Sequence, residues 1–544
     1  MFDVLIEGGL VIDGTGAPRL RADVGVSGGR IAVVGTLDGE RARRTIDAAG
    51  LHVCPGFVDM HAHSDLQLLA DPSWDVKLAQ GVTLEVIGQD GLGLAPITRE
   101  TGAELRERLV AWNGDPPGIA WDWRGVGAYL DRFDRAVSPN VAMLVPHGTV
   151  RLLAMGDDRR SPTDRELASM RALVQRGMRE GAVGLSTGLT YAPAMFAEDD
   201  ELVELCRVVA PFGGYYAPHQ RSYGRGALEA YAASIEIGRR AGVPVHLTHA
   251  SLGFEVNRGK APQLLGLVDA ARAEGVDVTL DSYPYVASST YLHAYLPSWA
   301  HEGGTEALLG RLADLALRER MRREVEESGS DGAHGVPVNW RRVVISSVRG
   351  DERRHLVGMS VAEAAAGTAG TPAPFDFYCD LLIAERLGVG SLGFFGNEEN
   401  VRLTLRHPAH MAGSDGIVAG DRPHPRAWGT FARYLGLYVR ELGLITLEEM
   451  VRKMTSLPAR RLGFPDRGLL RTGAAADVVC FDAGRVRDTA TYEDPRRAPE
   501  GIAFVLVNGV VVMEGGNHTG ARPGRALRRG RRAVDAAPVL GVIA

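Results

Sequence analysis

The sequence predicts an α/β fold: a (β/α)8 barrel, a small β-sandwich formed from both chain ends, and an insertion between barrel strands 7 and 8. Three observations predict it. Eight short apolar runs end in polar residues, with amphipathic helical segments between several of them. Alternating strands and helices imply a parallel sheet, and eight such units imply closure. Short strands with glycine-rich turns fill the first 54 residues, and the same texture returns near the C-terminus. The stretch from Asp281 to Asp415, between the seventh and eighth strand ends, is too long for a simple crossover and marks an insertion.

Val4-Leu5-Ile6 and Leu10-Val11-Ile12 flank Gly8-Gly9 and read as two strands. Val24-Gly25-Val26 and Ile31-Ala32-Val33-Val34 flank Ser27-Gly28-Gly29-Arg30, a hairpin signal. Segments 476–481 and 504–512 are the matching strands near the other end. Residues 1–54 with 465–520 are expected to form the sandwich, and 55–464 the barrel, with a lid at about 286–405. The barrel strands are expected to end at His61/His63, Gly88, His147, Ser186/Thr187, His219, His249, Asp281 and Asp415. Thr163-Asp164-Arg165-Glu166 is a capping box ahead of Leu167, Met170, Leu173 and Val174. Two more helices are expected over 227–241 and 264–274. Residues 521–544 read as a tail whose basic run, Arg522 to Arg532, is expected to be solvated or disordered.

Composition narrows the class. The chain has 544 residues, 45% of them apolar and 24% charged, ordinary for a globular enzyme. Its 61 Lys and Arg against 67 Asp and Glu leave a net charge of −6, which favours neither nucleic acid nor an anionic membrane as partner. Cys54, Cys206, Cys379 and Cys480 are far apart and form no CxxC pair, so a reducing cytoplasm is the expected setting. Met1-Phe2-Asp3-Val4 carries no basic leader, and no run of 18 apolar residues exists, so no signal peptide and no membrane span are expected. The oligomeric state is left open.

Chemistry gathers at the strand ends. His61-Ala62-His63 follows the buried-strand pattern of residues 53–60, and residues two apart on a strand share a side. Two such imidazoles can close on one metal ion, although two surface histidines would look the same. His219 and His249 end later strands at one βα-unit spacing, as do His63 and Asp90. Imidazoles with a carboxylate suit Zn²⁺ or a similar divalent ion. Asp415, in Gly413-Ser414-Asp415-Gly416, sits where a carboxylate can take a proton from water whose pKa a metal has lowered.

Longer motifs join these residues. They include 55–65 (PGFVDMHAHSD), 184–191 (GLSTGLTY), Asp281-Ser282-Tyr283-Pro284-Tyr285 with Ala287-Ser288-Ser289-Thr290, and His424-Pro425-Arg426 followed by Gly429-Thr430-Phe431. With Asp488-Thr489-Ala490-Thr491-Tyr492 and Val507-Asn508-Gly509, they make nearly the whole chain resemble the N-acyl-D-amino-acid deacylase (D-aminoacylase) branch of the amidohydrolase superfamily. The resemblance implies metal-dependent amide hydrolysis. It implies His61, His63, Asp90, His219 and His249 as ligands of one or two divalent ions, zinc first, with Mn²⁺ or Co²⁺ as alternatives. It implies Asp415 as proton shuttle, and Tyr283, Ser289 and Arg426 as contacts of a substrate carboxylate. Tyr191 can hydrogen-bond a carbonyl oxygen or pack a cap equally well.

Three positions depart from the family pattern. Gln89-Asp90-Gly91 stands where relatives read Asn-Cys-Gly, replacing a thiolate with a harder oxygen ligand. His249-Ala250-Ser251 lacks the lysine of a His-x-Lys, so Ser251 faces the substrate in its place. Arg221, in His219-Gln220-Arg221-Ser222-Tyr223, is expected to contact the substrate but lacks the acidic residue that commonly follows it. The expected substrate is a small N-acylated molecule, first an N-acyl-D-amino acid. A cyclic amidase of dihydroorotase or hydantoinase type, a specialised natural-product amidase, and a non-enzymatic binding barrel remain as alternatives. His246, three residues before His249, is expected to point away toward the helices, and His147 lines the site or serves structure equally well.

Overall fold

The computed structural model describes residues 1–529; the tail expectation for 530–544 lies outside them. All eight expected barrel strands form: Phe57–Asp59, Val82–Ile87, Asn140–Met143 extended by Val145–Pro146, Gly184–Gly188, Tyr215–His219, Val245–Leu247, Val278–Ser282 and His410–Ala412. They run parallel in chain order as a three-stranded and a six-stranded ladder. Backbone bonds close the ring: Met60 N–H to Ala412 O at 3.2 Å and Asp415 N–H to His61 O at 2.8 Å join the first and last strands, and Val183 N–H to Met143 O at 2.9 Å adds to the pairing of the third and fourth.

The strands form because their residues are apolar on both faces, as a helix-covered parallel sheet requires. One set of alternating residues, Val58, Met60, Leu84, Val86, Tyr215 and Ala217, makes a small buried cluster with the period of two that fills a barrel. Residues of the other parity, such as Ile87, Val141, Leu185, Tyr216 and Leu280, join the large cluster beneath the outer helices. The capping box closes as expected: Thr163 Oγ1 accepts from Glu166 N–H, and helix Asp164–Arg179 follows. Such a cap contributes about 1 kcal/mol. Helix Ala227–Ala241 is also as expected, and the next runs Ala261–Ala273, three residues earlier because Pro262 fits its first turn.

Both chain ends build one nine-stranded sheet around its own apolar cluster. Phe2–Val11 is a single strand rather than two: Gly8, at φ +74°, bends it without ending it. Its first part pairs with Ala42–Asp47 and its last residues with His52–Val53, so the sheet forks there into two layers. The hairpin Leu20–Ser27 to Arg30–Gly35 turns on Gly28 and Gly29, both at positive φ.

The stretch after the seventh strand carries an antiparallel sheet, Ser288–Tyr291, Gly390–Gly393 and Val343–Ser347, with a core of its own around Leu308, Trp340, Phe375 and Tyr378. Helix Glu398–Arg406, read as part of the lid, instead packs on Ala261–Ala273 and the last barrel strand. The start of the basic tail is also not free. Val141 N–H donates to Arg525 O and Leu527 N–H to Val141 O, while Arg528 pairs with Asp131 and Asp134. Backbone pairing at the open start of the third strand captures this segment, which charge pattern alone does not show. Among the described residues, no helix is long and apolar enough to cross a membrane.

Candidate active site

The six metal and proton-transfer candidates converge at the C-terminal ends of the strands. His61, His63, Asp90 and Asp415 form one cluster, and Asp90, His219 and His249 a second, each with its ligand atoms within 4.8 Å of one another. Asp90 belongs to both. Its carboxylate oxygens lie 3.5 Å from His61 Nε2, 3.6 Å from His63 Nε2, 3.4 Å from His219 Nδ1 and 3.4 Å from His249 Nε2. Asp415 Oδ1 lies 3.0 Å from His63 Nε2 and 3.6 Å from His61 Nε2.

The backbone is bent to bring these groups together. Asp90, His249 and Asp415 all have positive φ, at 55°, 32° and 50°. Such strain persists where the surroundings over-determine it, and it concentrates at working sites. A Cβ on Gly188 would collide with the Asp90 carbonyl, so glycine there lets the Asp90 turn lie against the fourth strand.

A divalent ion fits the donor set. His61 is fully buried with neither ring nitrogen hydrogen-bonded, and Asp90 Oδ1 is likewise unpartnered. Burial lowers the proton affinity of His61, but Asp90 and Asp415 overcome it and hold the ring well above its usual range. Burial raises the Asp90 carboxyl, and His249, His61 and His219 outweigh that and hold it far below the usual carboxylate range. The cluster thus stabilises positive charge at its centre. Four imidazoles and hard carboxylate oxygens suit a zinc-type ion.

Outer contacts orient the rings, as metal-ligating histidines require. Thr190 Oγ1 is 2.7 Å from His219 Nε2, and Tyr223 Oη is 3.0 Å from His249 Nδ1. Asp281 Oδ2 lies 3.8 Å from His61 Nδ1 and 2.8 Å from His246 Nε2. His246 therefore stands behind the metal cluster, not against the helices. The parity argument failed because the strand ends at Leu247 and the chain turns before His249. Ser414 accepts from Lys77 Nζ at 2.5 Å and donates to Asp59, a buried network that anchors the loop carrying Asp415.

The substrate candidates divide. Tyr191, Ser251, Tyr283 and Ser289 line a cavity above the cluster, with an empty volume of about 1160 Å³ including its open mouth. Arg221 does not line it; the side chain bonds Ala197 O and Asp199 instead. Arg426 is also absent from the lining. It is fully buried, stacks 4.5 Å over Tyr283, and sets Nη1 2.9 Å from Asp415 Oδ2, an ion pair outside hydrogen-bond geometry. Burial raises the Asp415 carboxyl, but Arg426, then His61 and His63, outweigh it and hold it below the usual range. His147 serves structure: it bonds Glu201, which also pairs with Arg151.

Sequence reasoning missed Trp112, whose ring packs 4.6 Å from His63 and 4.5 Å from Tyr291, because nothing marks its segment. Thr190 and Tyr223 stood inside motifs already noted, and only their ring contacts reveal their role.

A (β/α)8 barrel with a carboxylate-bridged histidine cluster at its strand ends defines a metal-dependent hydrolase class. Residues 44–513 match the amidohydrolase family model. The chain is 39% identical to N-acyl-D-glutamate deacylase of Alcaligenes xylosoxydans xylosoxydans, over 97% of this chain and 96% of that one. It is 36% identical to D-aminoacylase of the same organism, over 97% and 98%. The structure superposes on N-acyl-D-glutamate deacylase of Bordetella bronchiseptica, solved with zinc and a phosphonate inhibitor. The TM-score is 0.82 at 36% identity, covering 97% of this chain and 99% of that one. The chain belongs to the amidohydrolase family, in its N-acyl-D-amino-acid deacylase branch.

Proposed function

We propose that this protein hydrolyses the amide bond of N-acyl-D-amino acids with a zinc-type ion held by His61, His63, Asp90, His219 and His249. A bound ion supplies Lewis acidity, polarising the carbonyl and lowering the pKa of water. The carrying observation is the Asp90 carboxylate set among four imidazoles, with Asp415 beside His63, at the floor of the cavity. Asp415, kept ionised by Arg426, takes the proton from the attacking water and delivers it to the leaving nitrogen. Thr190 and Tyr223 hold the tautomers of His219 and His249. Tyr191, whose ring lies 4.8 Å from His219, donates to the carbonyl oxygen as charge develops there. Ser251, Ser289 and Tyr283 hold the amino-acid end. Free, buried cysteines at all four positions accord with a cytoplasmic setting.

The test combines metal analysis with turnover of paired N-acyl-D- and N-acyl-L-amino acids. Metal-replete protein should hydrolyse the D series, and Asp415→Asn should keep its metal while losing about 10²–10⁴ in kcat. Full activity without a transition metal, or near-native kcat in Asp415→Asn, refutes the reading.

A further inference from the structure

A second cavity lies beside the first, with an empty volume of about 840 Å³ including its mouth. The two share Thr190, Tyr191 and Ala294 as lining. The shared wall stands directly on the metal cluster, because Thr190 bonds His219 and the Tyr191 ring packs on it. The second cavity runs between the barrel and the insertion. Leu92, Leu105, Leu109 and Leu152 face it from one side, Leu308 and Leu387 from the other.

Its charges are already neutralised. Arg108 pairs with Asp157 and Glu104, and Arg386 with Glu107 and Glu306. Burial keeps His293 and His301 uncharged at neutral pH, with pKa values near 3 and 4. A space of this kind takes an aliphatic chain in preference to an anion.

Direction follows from the reaction proposed above, on which this inference rests. The scissile carbonyl must sit at the metal cluster. The amino-acid end then occupies the side of Ser251, Tyr283 and Ser289. The acyl substituent leaves the carbonyl carbon on the other side, past Tyr191. We propose that the second cavity is an acyl-chain site, and that the enzyme acts on amides of medium-chain aliphatic acids in preference to acetamides.

The experiment measures kcat/KM for the N-acetyl, N-butanoyl and N-hexanoyl derivatives of one D-amino acid with the metal-replete enzyme. Each buried methylene should raise kcat/KM about fourfold, so hexanoyl should exceed acetyl by on the order of a hundredfold. Leu152→Trp and Leu308→Trp fill the cavity from its two sides, so one can serve if the other fails to fold. Either should erase the hexanoyl gain and leave N-acetyl turnover unchanged. A flat or falling series with measurable N-acetyl turnover overturns the acyl site and leaves the deacylase reading intact. If no N-acyl amino acid is hydrolysed, the deacylase reading fails, and calorimetry with the uncharged octanamide still decides the cavity. Octanamide binding that Leu152→Trp abolishes supports an aliphatic site; no binding overturns it.

Discussion

Replacing Arg426 with methionine separates two roles for a buried guanidinium. The family pattern gives this arginine to the substrate carboxylate, whereas here it lies against Asp415, with Nη1 2.9 Å from Oδ2 and no exposure to solvent. At a charge separation of about 4 Å and an effective dielectric near 20, the pair is worth roughly 4 kcal/mol, or about three pKa units on Asp415. Burial already pushes this carboxyl upward, so losing the arginine lets that push act. In Arg426→Met, Asp415 should hold its proton to higher pH, and the acid limb of kcat/KM should move up by as much as those three units. Above that limb the rate should recover. Arg426→Lys keeps the charge and should return the limb most of the way, which guards against a folding defect. The assay is a pH profile of kcat/KM for the three metal-replete proteins. An unmoved acid limb with a raised KM for free-acid substrates, but not for their carboxamides, refutes the reasoning and returns Arg426 to the substrate.

Asp90 joins both halves of the cluster, so Asp90→Ala should lose metal by elemental analysis, while Asp90→Cys should restore part of it and shift preference from Mn²⁺ toward zinc. An unchanged metal content in Asp90→Ala would remove it from the centre. Burial lifts Glu85 from 4.5 to about 7, so the folded state binds this proton more tightly than the unfolded. The resulting stability is present below pH 4.5 and is lost as pH rises through about 7, on the order of 3 kcal/mol. Glu85→Gln should therefore gain on the native protein in urea unfolding at pH 8 relative to pH 4.5, and a pH-independent difference would contradict this. Ser251→Lys places a cation in a cavity whose lining contains no Lys or Arg, and should lower KM for N-acetyl-D-amino acids about 10- to 150-fold. No change in KM would place Ser251 outside the substrate's reach.

Local pattern in the sequence determined the barrel, the sheet shared by the two ends, and the candidate metal set. Strand runs such as 82–87 and 215–219 are short and buried on both faces, and polar residues stand where each run stops. His61, His63, Asp90, His219, His249 and Asp415 were all legible for that reason. What the tertiary structure decided was direction. Arg426 and Arg221 hold similar promise in sequence, but a long side chain goes to whichever partner packing offers, here Asp415 for one and Asp199 for the other. His246 and His249 share a side because the chain turns after Leu247, a bend that parity cannot register. Trp112 meets His63 because the loop after the second strand folds over the first, and the second cavity exists because the insertion folds back against that loop. Contacts between segments so distant in the chain leave no periodic trace, so no reading of single segments contains them.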